Sequence, residues 1–239
     1  MTRLSLFIDS AQQREVEPLL ATGLFDGVTT NPSLLARAGL TQDDLPAVHR
    51  WATAAGASRV YLQTLGLTLP EILASGRGLR DLGDDVVVKI PATASGFAAA
   101  RRLAAEDVPV LITAVHHASQ AVLAVAADAH SIAPYVGRMT DAGRDGIAQT
   151  LAMQRILGDC RTSVLAASVR TADDVALLAA GGVTDFTLSP ALLEQMLQDD
   201  LTTAAAAAFE DALAGPPPPA VAPTGPADAE GGQWTGPPR

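Results

Sequence analysis

The sequence predicts a single (β/α)8 TIM barrel over residues 1–214, with an extra C-terminal helix and a disordered proline-rich tail over residues 215–239. Three observations carry this. Short β-branched runs alternate with longer alanine- and leucine-rich stretches, the pattern of strands followed by crossover helices. The runs end at Asp9, Asn31, Gln63, Lys89, Thr113, Tyr135, Ser168 and Leu188, and the gaps of 22, 32, 26, 24, 22, 33 and 20 residues leave room for a strand, a helix and two loops each time. The first run continues into IDSAQQREVEPLL without a glycine, so the phosphate loop expected of an open, doubly wound sheet is missing.

The eight strands are LSLFID, GVTTN, RVYLQ, VVVK, VLIT, SIAPY, SVLAAS and DFTL. After the second, Asn31, Pro32 and Ser33 precede LLARAG and supply a helix cap followed by a proline whose missing N–H costs nothing at that position. TASGFAAARRLAAE offers a similar start after Lys89. TTAAAAAFEDALAG, rich in the strongest helix formers, predicts the last helix, placed to close the barrel or to dock on a neighbouring subunit. From Gly215 onward GPPPPAVAPTGPADAEGGQWTGPPR holds half of the 16 prolines and little that packs, as an extended tail would.

A net charge of −10 and an isoelectric point near 4.7 exclude general binding of nucleic acid or anionic membranes, which needs a basic surface. An anionic substrate would need a local group of arginines. The lone cysteine, Cys160, permits no internal disulfide and reads as a small core residue; no Cys/His set has zinc spacing. The N-terminal MTRLSLFIDS reaches an aspartate before a signal-length apolar stretch develops, and no later run is long enough to span a bilayer. The expectation is a soluble, cytoplasmic protein.

Of the 16 basic residues only Lys89, in VVVKIPATASG, is a lysine. Arginine holds a charge at least as well and binds carboxylates or phosphates better, but it cannot lose its proton near neutral pH; lysine can. A lone lysine after three valines is therefore a candidate nucleophile for a carbonyl, forming a Schiff base. The plain alternative is a surface lysine retained by chance.

In a (β/α)8 barrel the active site lies at the C-terminal ends of the strands. Here those ends carry Asp9, Asn31, Gln63, Lys89, Thr113, Tyr135 and Ser168. Each has an ordinary reading: Asp9 or Asn31 as a cap, Thr113 or Ser168 as a strand residue, Gln63 or Tyr135 as a partner of buried backbone. Together, around one lysine, they make a poor core and a good pocket.

DGVTTNPSLL, VVVKIPATASG, IAPYVGRMTDAGRDG and VLAASVRTADDV resemble, in order and spacing, the motifs of the small transaldolase family, which includes the fructose-6-phosphate aldolases. The resemblance runs from about Leu4 to Ala214. It implies a (β/α)8 barrel, a Schiff-base lysine on the fourth strand at Lys89, no metal or organic cofactor, and ring-like homo-oligomers, pentamers or decamers. It further implies Asp9, Thr30 and Asn31 beside the substrate hydroxyls, with Asp9 moving a proton. Gln63 and Thr113 match the pair that orders a water, Tyr135 a phenolic proton donor or acceptor, and Arg138, Ser168 and Arg170 a phosphate site. The substrates implied are sugar phosphates, small hydroxyketones and aldehydes. Glutamine at 63 and tyrosine at 135 are the aldolase branch's pair, where transaldolases proper usually carry glutamate and phenylalanine.

Departures from the family pattern are the stretch TLGLTLPEILASGRGL after Gln63 and the pair His116–His117 after Thr113, which reads as surface or satisfied histidines. Adjacent histidines on a strand would face opposite sides, so no metal site is expected there. A non-catalytic sugar-phosphate binder on the same barrel would have no use for Lys89 or Tyr135, and a deoxyribose-phosphate type of aldolase would carry a second lysine.

Overall fold

The computed structural model describes residues 4–214; the tail predicted over residues 215–239 lies outside the described residues. Eight parallel strands, β1 (Ser5–Asp9), β2 (Gly27–Thr29), β3 (Arg59–Gln63), β4 (Val86–Pro91), β5 (Val110–Val115), β6 (Ser131–Pro134), β7 (Ser163–Ala166) and β8 (Asp185–Leu188), close into a barrel in sequence order. The barrel closes by Ser5–Ile8 pairing with Asp185–Leu188.

Single helices cover four of the six crossovers before β7: α1 (Gln13–Leu20), α4 (Leu69–Arg80), α5 (Ala94–Ala104) and α6 (Ser119–Ala126). The two longest spacings in the sequence each hold an additional short helix. Between β2 and β3, α2 (Pro32–Arg37) and a 3-10 turn precede α3 (Leu45–Ala54); between β6 and β7, α7 (Val136–Asp141) precedes α8 (Gly146–Leu157). The chain then runs through α9 (Ala172–Ala180), β8 and α10 (Pro190–Leu197). The helix predicted from TTAAAAAFEDALAG is α11 (Asp200–Ala214), a separate unit begun by the Asp199 carboxylate accepting from Thr202 N–H at 2.8 Å.

Strand periodicity sorts the side chains into two cores. Ile8, Val28, Val60, Val88, Ile112 and Ile132 face out and pack beneath the helices. Phe7, Tyr61, Val87, Leu111, Ala133 and Leu165 face in and fill the barrel, with Phe7 and Tyr61 edge to face at 5.1 Å. Each fully buried aliphatic or aromatic side chain contributes about 1.5–3 kcal/mol, so the floor under the strand ends is firm. Helix starts are fixed by side chains: Asn31 accepts from Leu34 N–H at 3.0 Å, Thr93 from Gly96 N–H at 3.0 Å and Thr171 from Asp174 N–H at 3.1 Å.

Five expectations change in the structure. Asn31 and Ser168 are not the last residues of their strands, because β2 stops at Thr29 so that Asn31 can cap α2, and β7 stops at Ala166 before the chain turns left-handed at Ser168 (φ 55°). Tyr135 lies just past β6, held by one parallel bridge to Ala167. Cys160 is exposed in the turn after α8, not in the core. His116 and His117 follow the end of β5 and sit in a loop, so strand alternation does not govern them.

Gly27 stands opposite Arg59 in the β2–β3 ladder, and a Cβ built on it collides with the Arg59 carbonyl oxygen, a backbone atom that cannot swing aside. Gly27→Ala should therefore cost about 1–3 kcal/mol or more in denaturant unfolding. A change below about 0.5 kcal/mol would show that the ladder is not as tight as described.

Candidate active site

Lys89 rises from β4 into the barrel mouth and is 4% exposed. Its Nζ donates to the Thr30 carbonyl oxygen at 2.7 Å. Burial pushes the amine's pKa below its ordinary value, and the nearby Asp9 charge pulls the other way. The neutral form, the one with a lone pair for an electrophile, is therefore more accessible than for a lysine in water.

Around it, a cavity of about 130 Å³ is lined by Asp9, Asn31, Thr113, Tyr135, Arg138, Ser168 and Thr187, together with Arg37. An adjoining cavity of about 220 Å³ shares Asn31, Thr113, Tyr135 and Arg138 and adds Gln63. A larger groove, about 710 Å³, runs past Gln12 and Trp51 on the outer flank and contains none of the strand-end groups.

Asp9 is oriented by a chain of hydroxyls. Thr29 Oγ1 donates to the Asp9 carboxylate at 2.7 Å, and since that hydrogen is used, Thr187 must donate to Thr29 Oγ1 at 2.5 Å. Thr113 Oγ1 donates to the Tyr135 hydroxyl at 3.1 Å, which leaves the phenolic hydrogen free to point into the cavity. The Arg138 guanidinium lies over the Tyr135 ring, 4.8 Å from its centroid, and His116 meets the same ring edge-on at 5.5 Å. His116 Nδ1 is 2.8 Å from the Ala114 carbonyl, an acceptor only, so that nitrogen carries the proton.

Two backbone irregularities flank the strand of Tyr135. Ala114, on β5, has φ 56° within a register shift between Ile112 and Val115; Ser168, after β7, has φ 55°. Non-glycine residues in this region cost on the order of 1–2 kcal/mol each and need support from their surroundings. The Ser168 turn has it: Gly137 N–H, in the first turn of α7, donates to the Ser168 carbonyl at 2.8 Å.

Two of the ten residues named from sequence stand apart from the lysine cavity. The Thr30 side chain is on the opposite face from Thr29 and Asn31, donating weakly to the Tyr61 carbonyl at 3.3 Å; only its own carbonyl meets Lys89. Arg170 is paired with the Asp141 carboxylate and lines a separate flank cavity with Asp145 and Asp174. The other eight line the lysine cavity or the one adjoining it. Sequence reading missed Thr29, Thr187 and Arg37. Alternation would have found the first two: Thr29 shares a face with Asn31, and Thr187 is the inward residue of β8, whose apolar end residue hid it.

No group of three or more His, Cys, Asp or Glu residues able to hold a metal occurs among the described residues, and no helix there is long and apolar enough to cross a membrane. A closed parallel barrel whose mouth gathers one buried lysine with acid, amide, hydroxyl and phenol groups has the layout of a barrel enzyme's active site. Residues 6–215 match the family model described as Transaldolase/Fructose-6-phosphate aldolase. Relatives called "Probable transaldolase" are 32% identical over 200 residues in Hyphomonas neptunium (83% of this chain, 91% of the relative) and 34% identical over 202 residues in Nitrosopumilus maritimus (83% and 89%). One from Rhodospirillum centenum is 36% identical over 201 residues (83% and 86%). Among solved structures, a mandelate oxidase variant superposes with a TM-score of 0.54 at 18% identity, covering 77% of this chain and 65% of that one, a likeness of fold alone. The chain belongs to the transaldolase/fructose-6-phosphate aldolase family and is an enzyme, an aldolase or a transferase.

Because burial lowers the amine's pKa in the folded state, between that lowered value and the ordinary lysine value the folded chain binds fewer protons than the unfolded one, and stability contributed at this position rises with pH through that window. Each tenfold preference for the neutral form is worth about 1.4 kcal/mol. Lys89→Met should therefore be more stable than the parent at neutral pH, with the gain shrinking as pH rises toward the ordinary lysine value. Equal or lower stability of the variant at every pH, by denaturant unfolding, would contradict the buried amine.

Proposed function

We propose that the protein is a Schiff-base enzyme that breaks and makes the carbon–carbon bond beside the ketone of a sugar phosphate, with fructose 6-phosphate as donor. The single observation that carries the reading is the buried, solitary Lys89 amine in a cavity that also holds Asp9, Thr113 and Tyr135.

Neutral Lys89 Nζ attacks the ketone carbon, and loss of water leaves a cationic imine. Asp9 accepts the proton of the hydroxyl on the carbon to be released. The electrons of the breaking bond flow to the imine, glyceraldehyde 3-phosphate departs and a three-carbon enamine stays on the lysine. Tyr135 acts as proton donor or acceptor at the imine and at the cleaved bond, and Thr113 with Gln63 holds the water that hydrolyses it. Asn31 binds substrate hydroxyls, and Thr30 beside it holds the Lys89 amine through its carbonyl oxygen. Arg138 and Ser168 receive the phosphate, since a guanidinium and a hydroxyl suit a dianion.

Release of dihydroxyacetone by protonation and hydrolysis makes the enzyme an aldolase; capture of the enamine by a second aldehyde makes it a transaldolase. Gln63 favours the first, because an amide cannot take a proton and leaves the phenol of Tyr135 to share that work. The names of the curated relatives favour the second. A ring-like homo-oligomer, a pentamer or decamer, in the cytoplasm is the setting the family resemblance implies.

Product analysis with fructose 6-phosphate, run with and without erythrose 4-phosphate, separates the branches. Dihydroxyacetone and glyceraldehyde 3-phosphate formed without acceptor are the aldolase result; product only with acceptor is the transferase result. Borohydride added during either reaction should fix a three- or six-carbon adduct on Lys89. An unchanged intact mass and no product in both arms would remove the Schiff-base reading.

A further inference from the structure

Arg170 leaves the phosphate end of the cavity one guanidinium short. Its side chain is held by Asp141, and its own cavity also contains the Asp145 and Asp174 carboxylates, which repel an anion. Arg37, by contrast, lines both the outer 710 Å³ groove and the same 130 Å³ cavity as Lys89, Arg138 and Ser168.

The topology explains how it gets there. The two crossovers longer than the rest each begin with an extra short helix, α2 after β2 and α7 after β6. In the ring of eight strands β2 and β6 are four apart in either direction, so the two helices approach the mouth from opposite sides. Each brings one arginine: Arg37 ends α2 and Arg138 sits in α7. The first turn of α2 is fixed by the Asn31 cap and Pro32, and Arg37 Nε leans on the Ser33 carbonyl at 3.4 Å, which leaves both terminal nitrogens uncommitted. Among the described residues neither Arg37 nor Arg138 has a carboxylate in ion-pair range. In a chain with net charge −10, two arginines without carboxylate partners facing one small cavity are local positive potential with an anion's geometry.

We propose that Arg37 is a specificity-determining residue that clamps the substrate phosphate against Arg138 from across the barrel mouth, while Arg170 acts through Asp141 as a brace of the α7 segment. The clamp selects phosphate monoesters of short sugars over their unphosphorylated counterparts. It rests on the Schiff-base reading for its catalytic consequence, but not for its binding consequence.

The test compares Arg37→Ala, Arg37→Lys and Arg138→Ala with the parent. Condensation of dihydroxyacetone with glyceraldehyde 3-phosphate and with glyceraldehyde gives the ratio of kcat/KM values for the two aldehydes. Loss of one charged hydrogen-bonding fork should lower that ratio roughly 10- to 100-fold in Arg37→Ala and in Arg138→Ala, with partial recovery in Arg37→Lys. An unchanged ratio in Arg37→Ala, including an equal loss with both aldehydes, overturns the proposal. Calorimetric titration with glycerol 3-phosphate, which cannot react, reads the same clamp without turnover. Binding weakened about tenfold or more in Arg37→Ala supports it even where no borohydride adduct forms and the Schiff-base reading fails; equal binding, or none by the parent, overturns it.

Discussion

Taking an ammonium ion out of water is among the most expensive things a fold can do, and the protein does it once. Lys89 stands on the fourth strand of a barrel whose floor is closed by Phe7, Tyr61 and Leu111, so its amine has almost no solvent to hold the charge. The cost falls on the protonated form. A neutral amine in this position can donate to the Thr30 carbonyl and still keep a lone pair for chemistry. Substituting arginine here would bury a charge with no neutral form to retreat to, which is the physical reason one lysine persists in a chain otherwise furnished with arginine.

The rest of the mouth is arranged around that amine by two devices. One is hydrogen-bond direction: the Thr187–Thr29 pair aims the Asp9 carboxylate, and Thr113 occupies a lone pair of Tyr135 so that the phenol's hydrogen faces the cavity. The other is local backbone strain, at Ala114 on β5 and at Ser168 just past β7, on either side of Tyr135. A regular barrel would send the strand ends straight into their helices. The left-handed residues redirect the chain within β5 and after β7, where His116 packs on the Tyr135 ring and Ser168 lines the cavity wall.

Much of this was legible in the sequence because a parallel barrel imposes a short list of rules. Short β-branched runs located all eight strands, their spacing suggested the barrel, and every predicted strand overlaps an observed one. The rim was legible because most strands end on a polar residue after an apolar run. What stayed hidden was direction. Thr30 and Thr29 are neighbours of the same type, and only the alternation of a three-residue strand decides which one faces Asp9. Arg170 reads as well as Arg138 for an anion until Asp141, 29 residues away in the chain, is seen to hold it. Arg37 carried no signal beyond a helix end, since its importance depends on α2 and α7 standing on opposite sides of the ring. Pairings between distant segments are set by the closed fold, not by local pattern.

The solitary lysine makes the central claim directly measurable. With ¹³C-labelled lysine the folded protein gives one side-chain ε-carbon resonance, whose shift against pH reports the Lys89 amine alone. The account predicts a midpoint well below that of the same signal in the unfolded chain, where the ordinary value of about 10.4 applies. A midpoint at or above the unfolded one would mean the amine is charged in the barrel at working pH, and the covalent chemistry built on it would not stand.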